Sequence, residues 1–276
     1  MNPFQIIGSV QVKNEDIYIG RSIRNILDFC DEVIVTDNLS TDRTYEICSQ
    51  LAELNSKIQL ASIQHPREAA TLLEPYYGTN SWIFGVDGDE IYDPQGLTIM
   101  RRQLQDGAFT NDFCVFGNVL NVTSLNLKKK TARGHLAPPS RSMTKLYNFS
   151  MIESWKNCPE RLLGDGLTLK NGFDANLRRY LHEELDWEQS CFRCLHMPFM
   201  KRSSRQKIRL NRTRLNPDEI NRINQEKRLL FRMFRAAELL IQNFTGRDWK
   251  NQKYRRGPQF EKDVTVFFQD WRTGGV

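Results

Sequence analysis

The first 110 residues alternate short apolar runs with longer amphipathic ones, and each apolar run breaks into a polar turn. This rhythm limits the fold more than any other feature of the chain. It predicts strands over 5–12, 32–36, 58–63 and 82–86, and helices over 15–29, 41–54, 68–77 and 95–105. Asn14 is placed to cap the first helix, where Ile19, Ile23, Ile26 and Leu27 fall near one face. Strands alternating with helices in this order give an α/β fold, a mostly parallel sheet flanked by helices. Ligands of such sheets collect beyond the carboxy ends of the strands, where helix starts leave unpaired backbone donors.

Beyond residue 110 the rhythm changes. A longer strand is expected over 113–120, an exposed mobile loop over 126–140 and a strand over 144–149. Asn216, Pro217, Asp218 and Glu219 then open a helix running to about 244, with Leu230, Met233, Phe234, Ala237, Leu240, Ile241 and Phe244 on its buried face.

Composition narrows the class. With 276 residues, 39% apolar and 26% charged, the chain can bury one substantial core. No run approaches the ~18 uninterrupted apolar residues of a membrane span, and the start lacks a basic lead-in and a small-residue cleavage site. The expected location is therefore cytoplasmic, with peripheral contact at a membrane surface as a further reading. Six scattered cysteines are read as reduced thiols, Cys191 and Cys194 included, and the sequons at Asn121, Asn148, Asn211 and Asn243 as coincidental. The net charge of +6 is uneven: residues 1–198 hold 20 Lys and Arg against 25 Asp and Glu, residues 199–276 hold 19 against 8. The basic character belongs to the C-terminal quarter.

Two polar turns carry the chemistry. In 33-VIVTDNLSTDRT-44, Asp37 ends a strand and points toward the crevice, where a carboxylate can accept from a ribose or a base N–H. Ser40, Thr41 and Asp42 read as helix caps. In 82-WIFGVDGDEIYDP-94, Asp87 and Asp89 stand two residues apart, so in extended backbone both carboxylates face the same side, and Gly88 permits close approach. The turn is either a solvated acidic surface or a site for Mg²⁺ or Mn²⁺ completed by the oxygens of a diphosphate.

Together, 12-VKNEDIYIGRSIRNILDFCDEVIVTDNLSTDRT-44 and the D-G-D-E strand end resemble the large inverting glycosyltransferase family built on the GT-A fold, glycosyltransferase family 2. Three motifs in this order are more specific than any one alone. The likeness is good over the first 110 residues and patchy to about 215. It implies a nucleotide-diphospho-sugar donor, a UDP- or GDP-sugar, bound with Mn²⁺ or Mg²⁺. On that resemblance Lys13, Asn14, Glu15 and Asp37 would hold the nucleoside, Asp87 and Asp89 the ribose and the metal, and Arg67 the phosphates. One position departs from the pattern: Leu39 stands where members usually carry Gly, and a positive φ there would strain it.

Inverting transfer needs a base for the acceptor hydroxyl. In 145-KLYNFSMIESWKNCPERLLGDG-166, Glu160 matches the acid of the family's H-E-x-L segment, with Asp165 and Glu183 as rivals. His196, in 194-CLHMPFMKRSSRQK-207, is a candidate third metal ligand or diphosphate contact. Lys201, Arg202, Arg205 and Lys207 are placed to stabilise a departing diphosphate. The expected organisation is a GT-A-like catalytic domain over 1–200, with 1–110 binding the nucleotide-sugar and 111–200 facing the acceptor, then a basic helical extension over 201–276. A glycan or lipid-linked acceptor fits the resemblance, and the basic block could touch anionic lipid. No recognisable nucleic-acid module is present. The competing readings are a nucleotidyltransferase, although its usual Gly-rich first loop is missing from V-Q-V-K-N-E-D, and a non-catalytic nucleotide- or nucleic-acid-binding protein using the basic region.

Overall fold

The computed structural model of the chain describes residues 3–141, 145–159, 162, 164–206 and 249–268. In chain order the elements are β1 (Gln5–Val12), α1 (Ile19–Ile26), β2 (Glu32–Asp37), α2 (Thr44–Leu54), β3 (Ile58–Ser62), α3 (Glu68–Thr71), β4 (Ser81–Asp87), β5 (Glu90–Tyr92), α4 (Pro94–Gln105), β6 (Cys114–Phe116) and β7 (Asn118–Asn126). They continue with β8 (Thr131–Ala137), β9 (Lys145–Asn148), β10 (Ile152–Trp155), β11 (Leu167–Leu169), β12 (Arg178–Tyr180), α5 (Leu181–Glu184), β13 (Arg193–His196), α6 (Trp249–Tyr254) and β14 (Gln259–Asp263).

The main sheet has the order β12-β6-β9-β4-β1-β2-β3. β1 lies between β2 and β4 and is parallel to both, whereas β9 runs against β4 and β6. Alternating side chains serve the two faces: Ile6, Val35 and Phe84 join one apolar cluster, and their neighbours Ile7, Ile34 and Ile83 join the other. Ile19, Ile23 and Ile26 of α1 and Leu97, Met100 and Leu104 of α4 cover the first face, the pattern their spacing predicts. A second sheet, β14-β8-β7-β13-β5, packs Leu120, Leu195 and Met197 with Trp187 and Phe267 in a third cluster. All six cysteines are free thiols. Among the described residues, no helix is long and apolar enough to cross a membrane.

Several sequence expectations change. The helices expected over 41–54 and 68–77 span only Thr44–Leu54 and Glu68–Thr71, and the first of these has no side-chain cap. The first helix begins at Ile19 rather than 15, and Asn14 does not cap it, because Asn14 has a positive φ of 54° and turns toward the 38–43 loop. The strand expected over 113–120 is two strands in two different sheets, separated at Gly117. The expected loop over 126–140 is mostly β8: the lysines mark only a hairpin turn, and Ala132, Gly134 and Ala137 are too small to give a hydrophobic signal although they pack against β7. Where it is described, the C-terminal segment is not helical throughout. Its β14 pairs with β8, and Phe267 stacks on Trp187 at 5.8 Å. The helix expected over 216–244 lies outside the described residues.

Gly117 is the point where the chain changes sheets, and a β-carbon there would sit 2.0 Å from the Phe192 carbonyl oxygen. The Asn118 amide donates to that same oxygen at 2.9 Å, so the two backbones cannot easily separate. We expect Gly117→Ala to lower unfolding free energy by about 2–3 kcal/mol in urea titration; an unchanged midpoint would show that the contact is not tight.

Candidate functional site

The site begins with strand register. Val12 of β1 pairs with Asp37 of β2, and Gln11 pairs with Asp87 of β4, so three strand ends and their loops meet at one edge of the sheet. The loops are then tied to one another. The Asn14 amide donates to Ser40 Oγ at 2.8 Å, Asn14 Oδ1 accepts from the Thr41 amide at 2.6 Å, and the Glu15 amide donates to Thr44 Oγ1 at 2.7 Å. Asp37 is buried. Its Oδ2 accepts from the Ser40 amide at 2.9 Å, while Oδ1 has no hydrogen-bond partner among the described residues. Leu39 has a φ of 50° and is 54% exposed, so the strain foreseen at this position is present.

The acidic turn follows β4. Asp87 is half-buried, whereas Asp89, Glu90 and Glu15 are fully buried. A β-carbon at Gly88 would lie 2.2 Å from Glu15 Oε2, so only glycine lets the first loop approach the turn this closely. Ser22 Oγ holds the turn from α1 by donating to the Gly88 carbonyl at 2.9 Å. Burial, followed by the charge of Asp87, pushes the Glu90 carboxyl up to about 8, and Tyr92 donates its hydroxyl to Glu90 Oε2 at 2.7 Å.

The second sheet delivers the histidine. β13 pairs antiparallel with β5, placing His196 opposite Glu90, and its Nε2 lies 3.8 Å from Asp89 Oδ1. On the other side β13 pairs parallel with β7, placing His196 beside Asn121. His196 Nδ1 donates to Asn121 Oδ1 at 2.8 Å, and the Asn121 amide nitrogen donates to the His135 carbonyl at 3.3 Å. This fixes the tautomer and turns the Nε2 lone pair toward the carboxylates. The ring of Tyr254, from α6, meets His196 edge-on at 5.0 Å. One ligand atom each from Asp87, Asp89 and His196 lies within 4.8 Å of the others. Two carboxylate oxygens and one imidazole nitrogen suit a hard divalent cation such as Mn²⁺ or Mg²⁺.

Arg202 completes the edge. Its Nη1 donates to Asp89 Oδ2 at 2.8 Å and to Glu15 Oε1 at 2.9 Å, and all three groups are buried. The segment carrying it is anchored along its length: the Ile17 amide donates to the Arg202 carbonyl at 3.1 Å, Ser203 Oγ donates to Asp42 Oδ2 at 2.5 Å, and Ser204 bonds Asp16 through both its amide and its hydroxyl. Burial would raise the Asp42 carboxyl, but hydrogen bonds from Ser203 and Thr44 outweigh it and hold the group below the ordinary range. Burial and the charge of Asp89 push the Tyr18 phenol up to about 12.

The residues singled out from sequence do not all meet here. Lys13, Asn14, Glu15, Asp37, Asp87, Asp89 and His196 share this edge. Arg67 is exposed at the start of α3, in the loop after β3. Glu160 and Lys207 lie outside the described residues. Asp165 is exposed, its carbonyl accepting from the Trp155 indole at 3.1 Å, and Glu183 is exposed on α5. Asn121 escaped sequence reasoning because it shows there only as a sequon; its role comes from the pairing of β7 with β13. Tyr254 carries no local sequence signal for its place against His196, which depends on packing between segments distant in the chain.

The model of the family described as Glycosyl transferase family 2 matches residues 10–158. An uncharacterized glycosyltransferase of Rickettsia prowazekii is 35% identical over 173 residues, covering 61% of this chain and 54% of the relative. One from Rickettsia felis is 25% identical over 193 residues, covering 67% and 62%. The chain thus spans about three fifths of the length of the curated relatives it matches. Among solved structures, Staphylococcus aureus TarS residues 1–349 in complex with UDP aligns with a TM-score of 0.44 and 13% identity over 71% of this chain and 61% of that one.

The strained Leu39 gives a test of the turn. Replacing it with glycine removes a left-handed L-residue whose exposed side chain contributes little packing. We expect Leu39→Gly to raise stability by about 1 kcal/mol in chemical denaturation; a loss of stability would show that the leucine side chain supports the fold.

Proposed function

Because the chain belongs to glycosyl transferase family 2, and is a glycosyltransferase on that ground, we propose that it moves a sugar from a nucleotide-diphospho-sugar to an acceptor hydroxyl with inversion at the anomeric carbon. The observation that carries this reading is the convergence of Asp87, Asp89 and His196 beside Asp37, whose buried Oδ1 is available to accept from a donor base. The donor set fits Mn²⁺ or Mg²⁺, held by Asp89, His196 and Asp87. When bound, such a cation would neutralise charge on the leaving diphosphate.

The chain's own residues take distinct parts. Asp37 and Asp87 receive the nucleoside, with Lys13 at the rim. Asn14 acts indirectly, by holding the 41–42 turn against the first loop. Asn121 keeps His196 in the tautomer that presents Nε2. Glu15 sets the position of Arg202. Arg67 supplies positive charge for the phosphates. Glu160 remains the proposed base, taking the proton of the attacking hydroxyl. The acceptor is read as a glycan or a lipid-linked sugar, with the basic C-terminal quarter against anionic headgroups. Residues 1–200 form the proposed catalytic unit, and the packing of 249–268 onto the second sheet makes that segment part of its support.

A thermal-shift series tests the donor site. We expect one of UDP, GDP, CDP, ADP or dTDP to raise the melting temperature of the wild type in the presence of Mn²⁺, and Asp89→Asn to abolish the metal-dependent part. Shifts indifferent to both metal and Asp89 would favour a non-catalytic binding protein instead. For the base, Glu160→Gln should lower turnover by about 10²-fold or more while leaving the nucleotide-induced shift intact; full activity would return Asp165 and Glu183 to consideration.

A further inference from the structure

Asp89 has neighbours of two kinds. Its Oδ1 faces His196 on the side where Asp87 completes a set of three ligand atoms, and its Oδ2 accepts from Arg202 Nη1 at 2.8 Å. The same Nη1 bonds Glu15 Oε1 at 2.9 Å. Two carboxylates buried this deeply require a counter-charge, and Arg202 provides it from within the chain. A divalent cation on Asp89 would therefore arrive against a guanidinium already bonded to the same carboxylate, in surroundings that screen repulsion poorly.

Arg202 also has unused capacity. Its Nη2 is buried and has no hydrogen-bond partner among the described residues. The guanidinium is a five-donor fork suited to phosphate oxygens, so a diphosphate brought to this edge would find a donor waiting. The backbone of Arg202 is fixed by the Ile17 amide, and its neighbours Ser203 and Ser204 bond Asp42 and Asp16. Asp42 and Asp16 lie on the loops that follow Asp37 and Lys13, two of the nucleoside contacts in the donor-site reading.

We propose that Arg202 is a positioning residue that makes divalent-cation binding conditional on the diphosphate. With no diphosphate bound, the guanidinium neutralises Asp89 and opposes a second cation. When the diphosphate binds, its oxygens accept from Arg202 and offset that opposition, so metal and nucleotide bind with positive coupling. The inference rests on the donor-site reading above and adds an order of assembly to it: the cation enters with the nucleotide or after it.

The test is a binding cycle that needs no acceptor. Mn²⁺ binding to the wild type is followed by electron paramagnetic resonance, alone and with UDP or GDP, correcting for cation held by free nucleotide. The expected result is Mn²⁺ affinity at least about tenfold higher with the diphosphate that binds. Arg202→Met should bind Mn²⁺ alone about tenfold more tightly than the wild type and keep only the smaller coupling that direct contact between cation and diphosphate supplies. Arg202→Lys keeps the charge but not the fork, and should bind Mn²⁺ alone as weakly as the wild type with reduced coupling. Should Arg202→Met fail to fold, as measured by circular dichroism, the wild-type cycle and Arg202→Lys decide the matter. Equal Mn²⁺ affinity with and without diphosphate overturns the inference alone, as does coupling as large in folded Arg202→Met as in the wild type. A wild type that binds neither ligand overturns the donor-site reading and this inference with it.

Discussion

Three carboxylates, from Glu15, Asp89 and Glu90, are buried at the edge of a parallel sheet where water cannot screen them, and much of the surrounding structure answers that fact. Arg202 supplies charge to two of them, Tyr92 donates to the third, and Ser22 holds the turn between them. Breaking one partner of the buried set formed by Arg202, Glu15 and Asp89 typically costs about 3–5 kcal/mol, because the remaining charge is stranded. Gly88 follows from the same constraint, since a single methyl group there would collide with the Glu15 carboxylate. The site is thus built on electrostatic necessity as much as on strand geometry.

The two sheets contribute different things. The main sheet places acids through parallel register, with Asp37 and Asp87 flanking the end of β1. The second sheet places an imidazole, His196, beside them and sets its tautomer through Asn121. Histidine at a carboxylate pair is useful only if the correct nitrogen faces inward, and here a side-chain amide determines which one does. The C-terminal segment backs this arrangement, with Tyr254 against His196 and the Ser140 hydroxyl bonded to the Tyr254 carbonyl at 3.0 Å.

The parts most legible in sequence were those governed by local pattern. The apolar runs at β1, β2 and β4 end where strands end, and the acids just beyond them lie at the candidate site because strand direction carries them there. Long-range register was not legible. Nothing in V-L-N-V-T marks Asn121 as a partner of a histidine 75 residues away. β8 was missed because its packing depends on small residues, with the Gly134 position closing to 2.3 Å from the Asn121 carbonyl oxygen if a β-carbon were present. Leu39 shows the opposite case: the family resemblance, with glycine usual at this position, raised a left-handed backbone, and the left-handed backbone is there.

The pairing of β14 with β8 has a consequence for how the protein reaches its working state. His135 bonds the Gly257 carbonyl across 122 residues of chain, and Arg133 bonds Glu261 across 128. Closing loops of that length is entropically slow, whereas β1, β2 and β4 assemble through nearer neighbours. The acidic edge is no exception, since Arg202 reaches Glu15 across 187 residues and Asp89 across 113, so both the neutralised carboxylates and the wall behind His196 rest on contacts distant in the chain.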